Sequence, residues 1–328
     1  MRQRQRTPSP RRVAAVAAGA AVATLITACA SPSPPAPPTL APPAQAPQDA
    51  QIFFDDFSER DLLELRDNGW VIRSGKGHPG VPGALWTEQG VHLVDDPERP
   101  GNRLLRIQAT TTGYPEGTFE AQVCHRRKYL EGTYAARVHF RDLPFQGKRG
   151  DTFVETFFAA SPLRFDFDPQ YSEVDWEYLP NGGWGDEKTR LYGVSWQTVR
   201  IEPWLAVNEP TQVARSFDGW HVLVVQVGKE HTDWFLDGQA FAEHGGRNVP
   251  QVPMAIDFSI WVSPSGLIPG ETAPRSYEED IDWVFHARNA TLKPDEVLVR
   301  VAQMRATGIT SADTVPAEDP PLPSPCDM

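Results

Sequence analysis

The sequence predicts an all-β protein, and three observations support that prediction. About a dozen short runs rich in β-branched and aromatic residues follow residue 50, separated by clusters of Gly, Pro, Asp and Asn. No helical segments alternate with these runs, which argues against a parallel sheet with crossover helices. Several runs alternate apolar and polar side chains with a period of two. We therefore expect one β-sandwich or β-barrel domain over residues 51–293.

The first 28 residues are typical of an export signal. Five arginines precede the apolar residues 13–26, and the sequence LITACAS follows. The pattern resembles a bacterial lipoprotein signal, in which Cys29 becomes the lipid-modified first residue; a plain secretory signal cut nearby is the alternative. We expect an exported protein, anchored by lipid to the outer face of the cell membrane or secreted.

Residues 29–50 form a Pro- and Ala-rich segment that cannot bury a core and predicts an extended spacer. The formal net charge of the 328-residue chain is -12, and removal of the five arginines of the signal would leave -17. An acidic chain of this kind is unsuited to nucleic acid, which we exclude as a partner. The sequence shows no internal repeat and no second domain. We expect a monomer.

Individual runs predict which side chains face the core. In GTYAARVHF one face carries Tyr134, Ala136, Val138 and Phe140. The run WHVLVVQVGKEHTDWFLDG predicts a hairpin that turns near Gly228 and Lys229 and turns again at Asp237 and Gly238.

A short helix is expected at residues 294–308. Pro294 stands at its start, apolar residues follow at helical spacing, and Gly308 lies beyond its end. The remaining residues 309–328 predict a disordered tail. Cys124 and Cys326 are the two cysteines left if Cys29 carries lipid; a disulfide is one option and two unpaired thiols the other.

The stretch YSEVDWEYLPNGG contains the candidate catalytic residues. Side chains at alternate positions of a strand share a face, so Glu173, Asp175 and Glu177 project together. A pair of carboxyl groups separated by about 5–5.5 Å can serve a retaining glycosidase as nucleophile and acid/base. The residue between them would raise a pKa by repulsion and help one group to stay protonated.

Two other interpretations of the triplet are an exposed acidic edge and a calcium site. Three like charges on one strand face destabilise it unless something compensates. Trp184, Trp196 and Trp204 follow closely, as expected where sugar rings stack on aromatic side chains, although each Trp fits the core equally well.

Taken together, these segments resemble glycoside hydrolase family 16 over about residues 55–287. The Glu-x-Asp-x-Glu strand resembles the family signature, and FFAAS, PMAIDFSIWV and EEDIDWVFHA resemble strands around it in order. The resemblance implies a concanavalin A-like jelly roll of two antiparallel sheets. It also implies a retaining endo-glycosidase or transglycosylase acting on a β-linked glucan or related polysaccharide.

Residue by residue, the resemblance implies Glu173 as nucleophile, Glu177 as acid/base and Asp175 as the residue that orients and tunes them. The spacing without an inserted residue resembles the lichenase and xyloglucan-modifying branches and favours a β-1,4 or mixed β-1,3-1,4 linkage. Where the family often has Trp ahead of the signature, this chain has VETFFAA, so Phe157 or Phe158 is expected to line the sugar site.

The resemblance implies no required cofactor, but it does imply a possible structural calcium ion at Asp282. Because concanavalin-like sandwiches also host lectins, an inactive carbohydrate-binding lipoprotein is the alternative function.

Overall fold

The computed structural model describes residues 51–323 and residue 326. The expected signal, with Cys29, and the expected spacer therefore lie outside the described residues. Within the described part of the chain, no helix is long and apolar enough to cross a membrane.

The described residues form seventeen strands and two α-helices, with short 3-10 turns between some of them. The helices are α1 (Leu62–Asp67) and α2 (Pro294–Ala306). The strands are β1 (Ile52–Asp55), β2 (Val71–Ile72), β3 (Leu85–Trp86), β4 (Val91–Asp95), β5 (Arg103–Thr111), β6 (Thr118–Cys124), β7 (Gly132–Phe140), β8 (Phe153–Ala160), β9 (Glu173–Leu179), β10 (Arg190–Arg200), β11 (Leu205–Val213), β12 (Gly219–Val227), β13 (His231–Leu236), β14 (Gln239–Gly245), β15 (Ala255–Val262), β16 (Arg275–Arg288) and β17 (Ser311–Asp313).

Apart from the short parallel pairing of β3 with β6, the strands pair into two antiparallel sheets, which confirms the predicted all-β fold. The site sheet has the order β11-β10-β9-β8-β15-β6-β2. The back sheet has the order β14-β13-β12-β7-β16; beyond β16 lie β5 and β4 along one half of that strand and β1 and β17 along the other. A short pairing of β5 with β6 joins the sheets at one edge.

The core lies between the sheets because each strand turns an apolar face inward. On β9 that face consists of Val174, Trp176 and Tyr178, all buried. The ring of Trp176 packs edge-on against Trp234 of β13, with the ring centroids 5.1 Å apart. Burial of each large apolar side chain contributes about 1.5–3 kcal/mol, so this strand is held firmly by its inward half. Its outward half is then free to carry polar groups.

Two predictions of local structure are confirmed. In β7 the core contains Tyr134, Ala136, Val138 and Phe140. The hairpin of β12 and β13 turns between Val227 and His231, and the next turn is formed by Asp237 and Gly238. Both turn residues have positive φ, 50° and 79°, as the tight turns that suit twisted hairpins require.

Helix α2 lies where the sequence predicts a helix and packs on the outer face of the back sheet. Its buried residues Val297, Val301 and Met304 join a second apolar cluster with Trp283 and Phe285 of β16. Helix α1 was not predicted from the sequence. It spans only six residues and begins at Asp61, whose side chain accepts hydrogen bonds from the first turn.

The prediction of a disordered tail over residues 309–328 is wrong for its described part. β17 pairs with β1, and Lys128 Nζ contacts Asp313 (2.6 Å) and donates to the carbonyl of Val315 (2.7 Å). Cys326 forms a disulfide with Cys124, with 5.9 Å between the two Cα atoms. The tail is polar, but β1 offers it an unpaired edge and Val315 is buried in the core. The composition of the tail therefore did not predict its ordered structure.

Candidate functional site

The three carboxylates of β9 lie on the face of the site sheet that points away from the core, here called the site face. β9 pairs with both β8 and β10 without a register shift, so the alternation that the sequence predicts is preserved. The Cα atoms of Glu173 and Glu177 are separated by about 13 Å at the usual rise of a strand. Glu173 and Glu177 are partly exposed, while Asp175 between them is only 4% exposed.

Each of these carboxylates accepts a hydrogen bond from an aromatic side chain. Neutral O–H and N–H donors of this kind orient a carboxylate without neutralising its charge. The Oη of Tyr171 donates to Glu173 (2.5 Å), Nε1 of Trp196 to Asp175 (3.0 Å) and Nε1 of Trp184 to Glu177 (3.1 Å).

The electrostatic environment raises the pKa of all three groups. Burial is the largest cause for each. Repulsion from Glu177 and Glu173 raises the pKa of Asp175 further, and repulsion from Glu177 adds to the rise at Glu173. Among the described residues, no Lys, Arg or His forms a salt bridge with any member of the triplet. The cluster therefore holds protons at pH values where isolated carboxylates are ionised.

All three tryptophans proposed for substrate binding lie on this side of the site sheet. Trp196 is directly opposite Glu173 in the pairing of β10 with β9. Trp204 is 54% exposed, and its ring lies 6.1 Å from that of Trp196. Trp184 is 47% exposed beside Glu177. Exposed aromatic faces next to carboxylates are suited to stacking against sugar rings.

Phe157 is the exception, and its assignment to substrate binding is wrong. Its ring is 3% exposed and stacks on Phe258 of β15 in the core, with the centroids 5.2 Å apart. The period of two in β8 places Phe158 on the site face instead, where it lies opposite Asp175 and is partly exposed. Of the two phenylalanines that the sequence offers for the sugar site, Phe158 therefore faces the site and Phe157 faces the core.

Asp282 is surrounded by groups that do not fit a calcium ion. Its buried carboxylate contacts Arg99 (2.6 Å), Arg137 (2.8 Å) and Arg305 (3.0 Å) and accepts a hydrogen bond from Asn102 (2.9 Å). Calcium requires six to eight oxygen ligands, whereas three guanidinium groups would repel a dication. These cations lower the pKa of Asp282 despite its burial. The expected ligand is instead the centre of an ion-pair network.

Other residues of the site were not identified from the sequence. Tyr171 continues the alternation of the triplet by one step, and that period was the available signal. Trp261 on β15 lies 5.8 Å from Trp184 by ring centroids, and its position on the site face also follows from strand alternation. His78 lies 5.5 Å from Trp204 and comes from a loop, where no period could have predicted it.

Comparison of structures identifies the fold, whereas comparison of sequences finds no match. No protein-family model matches the chain, and no curated protein matches it in sequence. A β-glucanase from Bacillus licheniformis is similar in structure over 74% of this chain and 100% of its own, with a TM-score of 0.52 and 16% identity.

Two further solved structures give the same result. A glycoside hydrolase family 16 endo-glucanase from Bacteroides ovatus is 14% identical over 71% of this chain and 98% of its own, with a TM-score of 0.54. A laminarinase catalytic domain from Thermotoga maritima is 14% identical over 74% and 98%, with a TM-score of 0.51. This chain therefore has the jelly-roll fold of the family 16 β-glucanases.

Proposed function

We propose that this chain, built on the fold of the family 16 β-glucanases, is a glycoside hydrolase that cleaves a β-linked glucan. The observation that supports the proposal most directly is the triplet on β9. Its three carboxylates share one face, carry no cationic partner among the described residues and have raised pKa values. Such an unpaired cluster destabilises a protein, and glycoside hydrolysis is a reaction that uses it.

In the proposed retaining mechanism, Glu173 is the nucleophile and Glu177 the acid/base. The carboxylate of Glu173 attacks the anomeric carbon, the bond from that carbon to the glycosidic oxygen breaks, and the Glu177 proton passes to the leaving oxygen. Glu177 then takes a proton from water, whose oxygen attacks the same carbon and releases Glu173. If an acceptor sugar replaces the water, the same steps give transglycosylation.

Asp175 and the aromatic donors would control which group holds the proton. Because Asp175 is the most buried of the three and is repelled from both sides, it can keep a proton while Glu173 is ionised. Trp196 holds Asp175 in orientation through its hydrogen bond. The unshifted pairing around β9 supports the β-1,4 or mixed β-1,3-1,4 linkage that the sequence favours.

Chemical rescue tests these roles. Glu173→Ala and Glu177→Ala should both lose hydrolysis of mixed-linkage, β-1,4- and β-1,3-glucans, measured by reducing ends. Added azide should replace the missing nucleophile in Glu173→Ala and give an α-glycosyl azide from an activated β-glycoside. In Glu177→Ala it should attack the intermediate and give the β-product. The same anomer from both variants, identified by NMR, would contradict the assignment.

We also propose that the protein is exported and held to the membrane by lipid at Cys29. The Cys124–Cys326 disulfide supports export because disulfides persist outside the reducing cytoplasm. Metabolic labelling with a radioactive fatty acid should mark the wild type and not Cys29→Ser. Label in both proteins would rule out Cys29 as the anchor. Gel filtration of a soluble form lacking residues 1–29 should give the size of a monomer.

A further inference from the structure

Burial on the site face is uneven across the sheet. Gln122 on β6, Ser259 on β15 and Thr156 on β8 are 1%, 2% and 4% exposed, although they point away from the core. Phe158 on β8 and Glu177 on β9 are partly exposed, Tyr192 and Val194 on β10 are again buried, and Gln212 on β11 is exposed. Polar side chains facing away from the core are buried only if another segment covers them. The β6 and β15 side of the site face is therefore covered, and exposure is highest at the β11 edge.

The cover on β6 is the loop of residues 73–86, here called the roof loop. Arg73 donates to Gln122 (2.9 Å) and to the carbonyl of His78 (2.8 Å), so it links β6 to the roof loop. The backbone N–H of Val81 donates to Glu120 (3.3 Å), which is 1% exposed. These hydrogen bonds hold the roof loop against β6.

Gly80 shows how closely the roof loop approaches the sheet. A Cβ atom at this position would lie 2.1 Å from a carboxylate oxygen of Glu120, which is shorter than any van der Waals contact. Any other residue would have to displace the Glu120 carboxylate and adopt a φ of 114° that L side chains rarely take, so glycine suits this position. No room for a sugar ring remains between this part of the loop and β6.

The roof loop also contacts a residue on the opposite side of the site sheet. The ring of His78 lies 5.5 Å from that of Trp204, which follows β10, and the ring of Trp204 lies 6.1 Å from that of Trp196. Trp196 donates to Asp175. Because β9, β8, β15 and β6 lie between β10 and β2, this contact forms an aromatic arch that passes over the site sheet beside the carboxylates.

The end of the chain closes the same side. Cys326 is bonded to Cys124 at the edge of the site face, and both sulfur atoms lie within 4.8 Å of a carboxylate oxygen of Asp257. Asp257 is completely buried and lies two strands from Asp175, a separation of about 10 Å. Little space for sugar rings is left on that side of the triplet.

We propose that the roof loop, the arch and Cys326 end the substrate groove on the β6 side. The site then accepts the end of a glucan chain, or a short oligosaccharide, and the rest of the chain leaves over β11. This inference rests on the proposed glycosidase function and refines its substrate class. It differs from the endo action that the sequence resemblance implies, because an endo-acting enzyme needs a groove open at both ends.

Product analysis tests the inference. Glucan oligosaccharides of increasing length, labelled at the reducing end, should give one terminal product of constant size with the wild type. The double variant His78→Ala/Trp204→Ala should open the arch and raise the ratio of interior to terminal cleavage by about tenfold. Leu298→Ala, an exposed residue on the other side of the molecule, is the matched control and should keep the wild-type pattern.

Two results would overturn the inference while leaving the glycosidase proposal intact. One is random interior cleavage by the wild type from the earliest time point. The other is an unchanged product pattern in the double variant, provided that its melting temperature shows it to be folded.

Binding provides a second measurement that does not depend on turnover. With Glu173→Gln, affinity for glucan oligosaccharides should rise with chain length and then stop, and capping the chain end should abolish it. If capping the chain end does not change the affinity, the proposal that the groove is closed on the β6 side is wrong. If the wild type binds such ends and never cleaves them, the glycosidase proposal fails and the closed groove stands. Absence of glycan binding would overturn both.

Discussion

Two of the strands in the described part of the chain carry three acidic residues at alternate positions, and one of these two has the properties of an active site. The β9 triplet is Glu173, Asp175 and Glu177; the β16 triplet is Glu278, Asp280 and Asp282. Arginines contact every member of the β16 triplet. In the β9 triplet the partners are the neutral donors of aromatic side chains.

The two environments shift the acidity in opposite directions. Arg106 and Arg141 lower the pKa of Asp280 and overcome its burial, and arginines do the same at Asp282. On β9 the hydrogen bonds from the aromatic side chains offset burial only in part, and the pKa of every member of the triplet is raised. The spacing of acids on a strand therefore fixes only which face they share. Their partners decide whether they stabilise the fold or remain reactive.

The largest expected difference is in catalysis. Glu173→Gln should lower kcat by on the order of 10⁴ or more, because a nucleophile cannot be replaced by an amide. The matched change Glu278→Gln in the β16 triplet should leave kcat per folded molecule near the wild-type value. Reducing-end assays, with folded protein quantified by circular dichroism, check both. Comparable losses in both variants would remove the distinction between the triplets.

The next largest effect concerns folding stability, and it is expected in the β16 triplet rather than in the β9 triplet. Asp282→Asn should destabilise the protein by about 3 kcal/mol, since it leaves arginines around a neutral group; this is the low end for a buried ion pair because the arginines are partly exposed. Urea unfolding measures the change. The control Asp95→Asn alters a carboxylate that is 96% exposed and should change stability by less than about 0.5 kcal/mol. Equal losses of stability in the two variants would refute the stabilising ion-pair network around Asp282.

A smaller, stabilising effect is expected at Asp175→Asn. Below a pH of about 4 the carboxyl is protonated in both the folded and unfolded states. As the pH rises, the unfolded chain ionises first while the raised pKa keeps the folded group neutral, so folding stability falls. Asn does not titrate, and its oxygen can still accept the Trp196 hydrogen bond.

Asp175→Asn should therefore be more stable than the wild type by about 1–3 kcal/mol at pH 8. At pH 4 the two proteins should be nearly equal in stability. Urea unfolding at both pH values measures the difference. A variant less stable than the wild type at pH 8 would show that the charge at this position is compensated after all.

The smallest expected effect is that of chelators. Because arginines occupy the surroundings of Asp282, EDTA should leave the melting temperature unchanged. A fall in melting temperature that added calcium reverses would contradict this assignment and would require another cation site in the protein.

The fold and the β9 triplet were predictable because both depend on the two-residue period of strands. That period correctly placed the acids outward and Trp176 inward. The same period places Tyr171 on the face of the acids and distinguishes Phe158, which faces the site, from Phe157, which faces the core. What the period cannot encode is long-range contact. The arginines around Asp282 come from three separate segments, and the roof loop meets Trp204 from the other edge of a sheet.

The C-terminal tail also depends on long-range contacts that the local sequence does not predict. Residues 311–313 have no apolar pattern of their own and become a strand because β1 presents unpaired backbone groups. Cys326 likewise has a partner 202 positions away in sequence. Local composition predicts the structure of an isolated segment, whereas the structure of residues 311–313 depends on their pairing with β1.

The position of β1 between β16 and β17 has a mechanical consequence. Ile52 begins the described domain, and its strand is hydrogen bonded on both sides, to Ala287 and its neighbours on one and to residues 311–313 on the other. A pull on the chain ahead of Gln51 would load both ladders in shear, so many hydrogen bonds would have to break together. A domain connected through β1 is therefore built to resist tension applied at its N-terminal end.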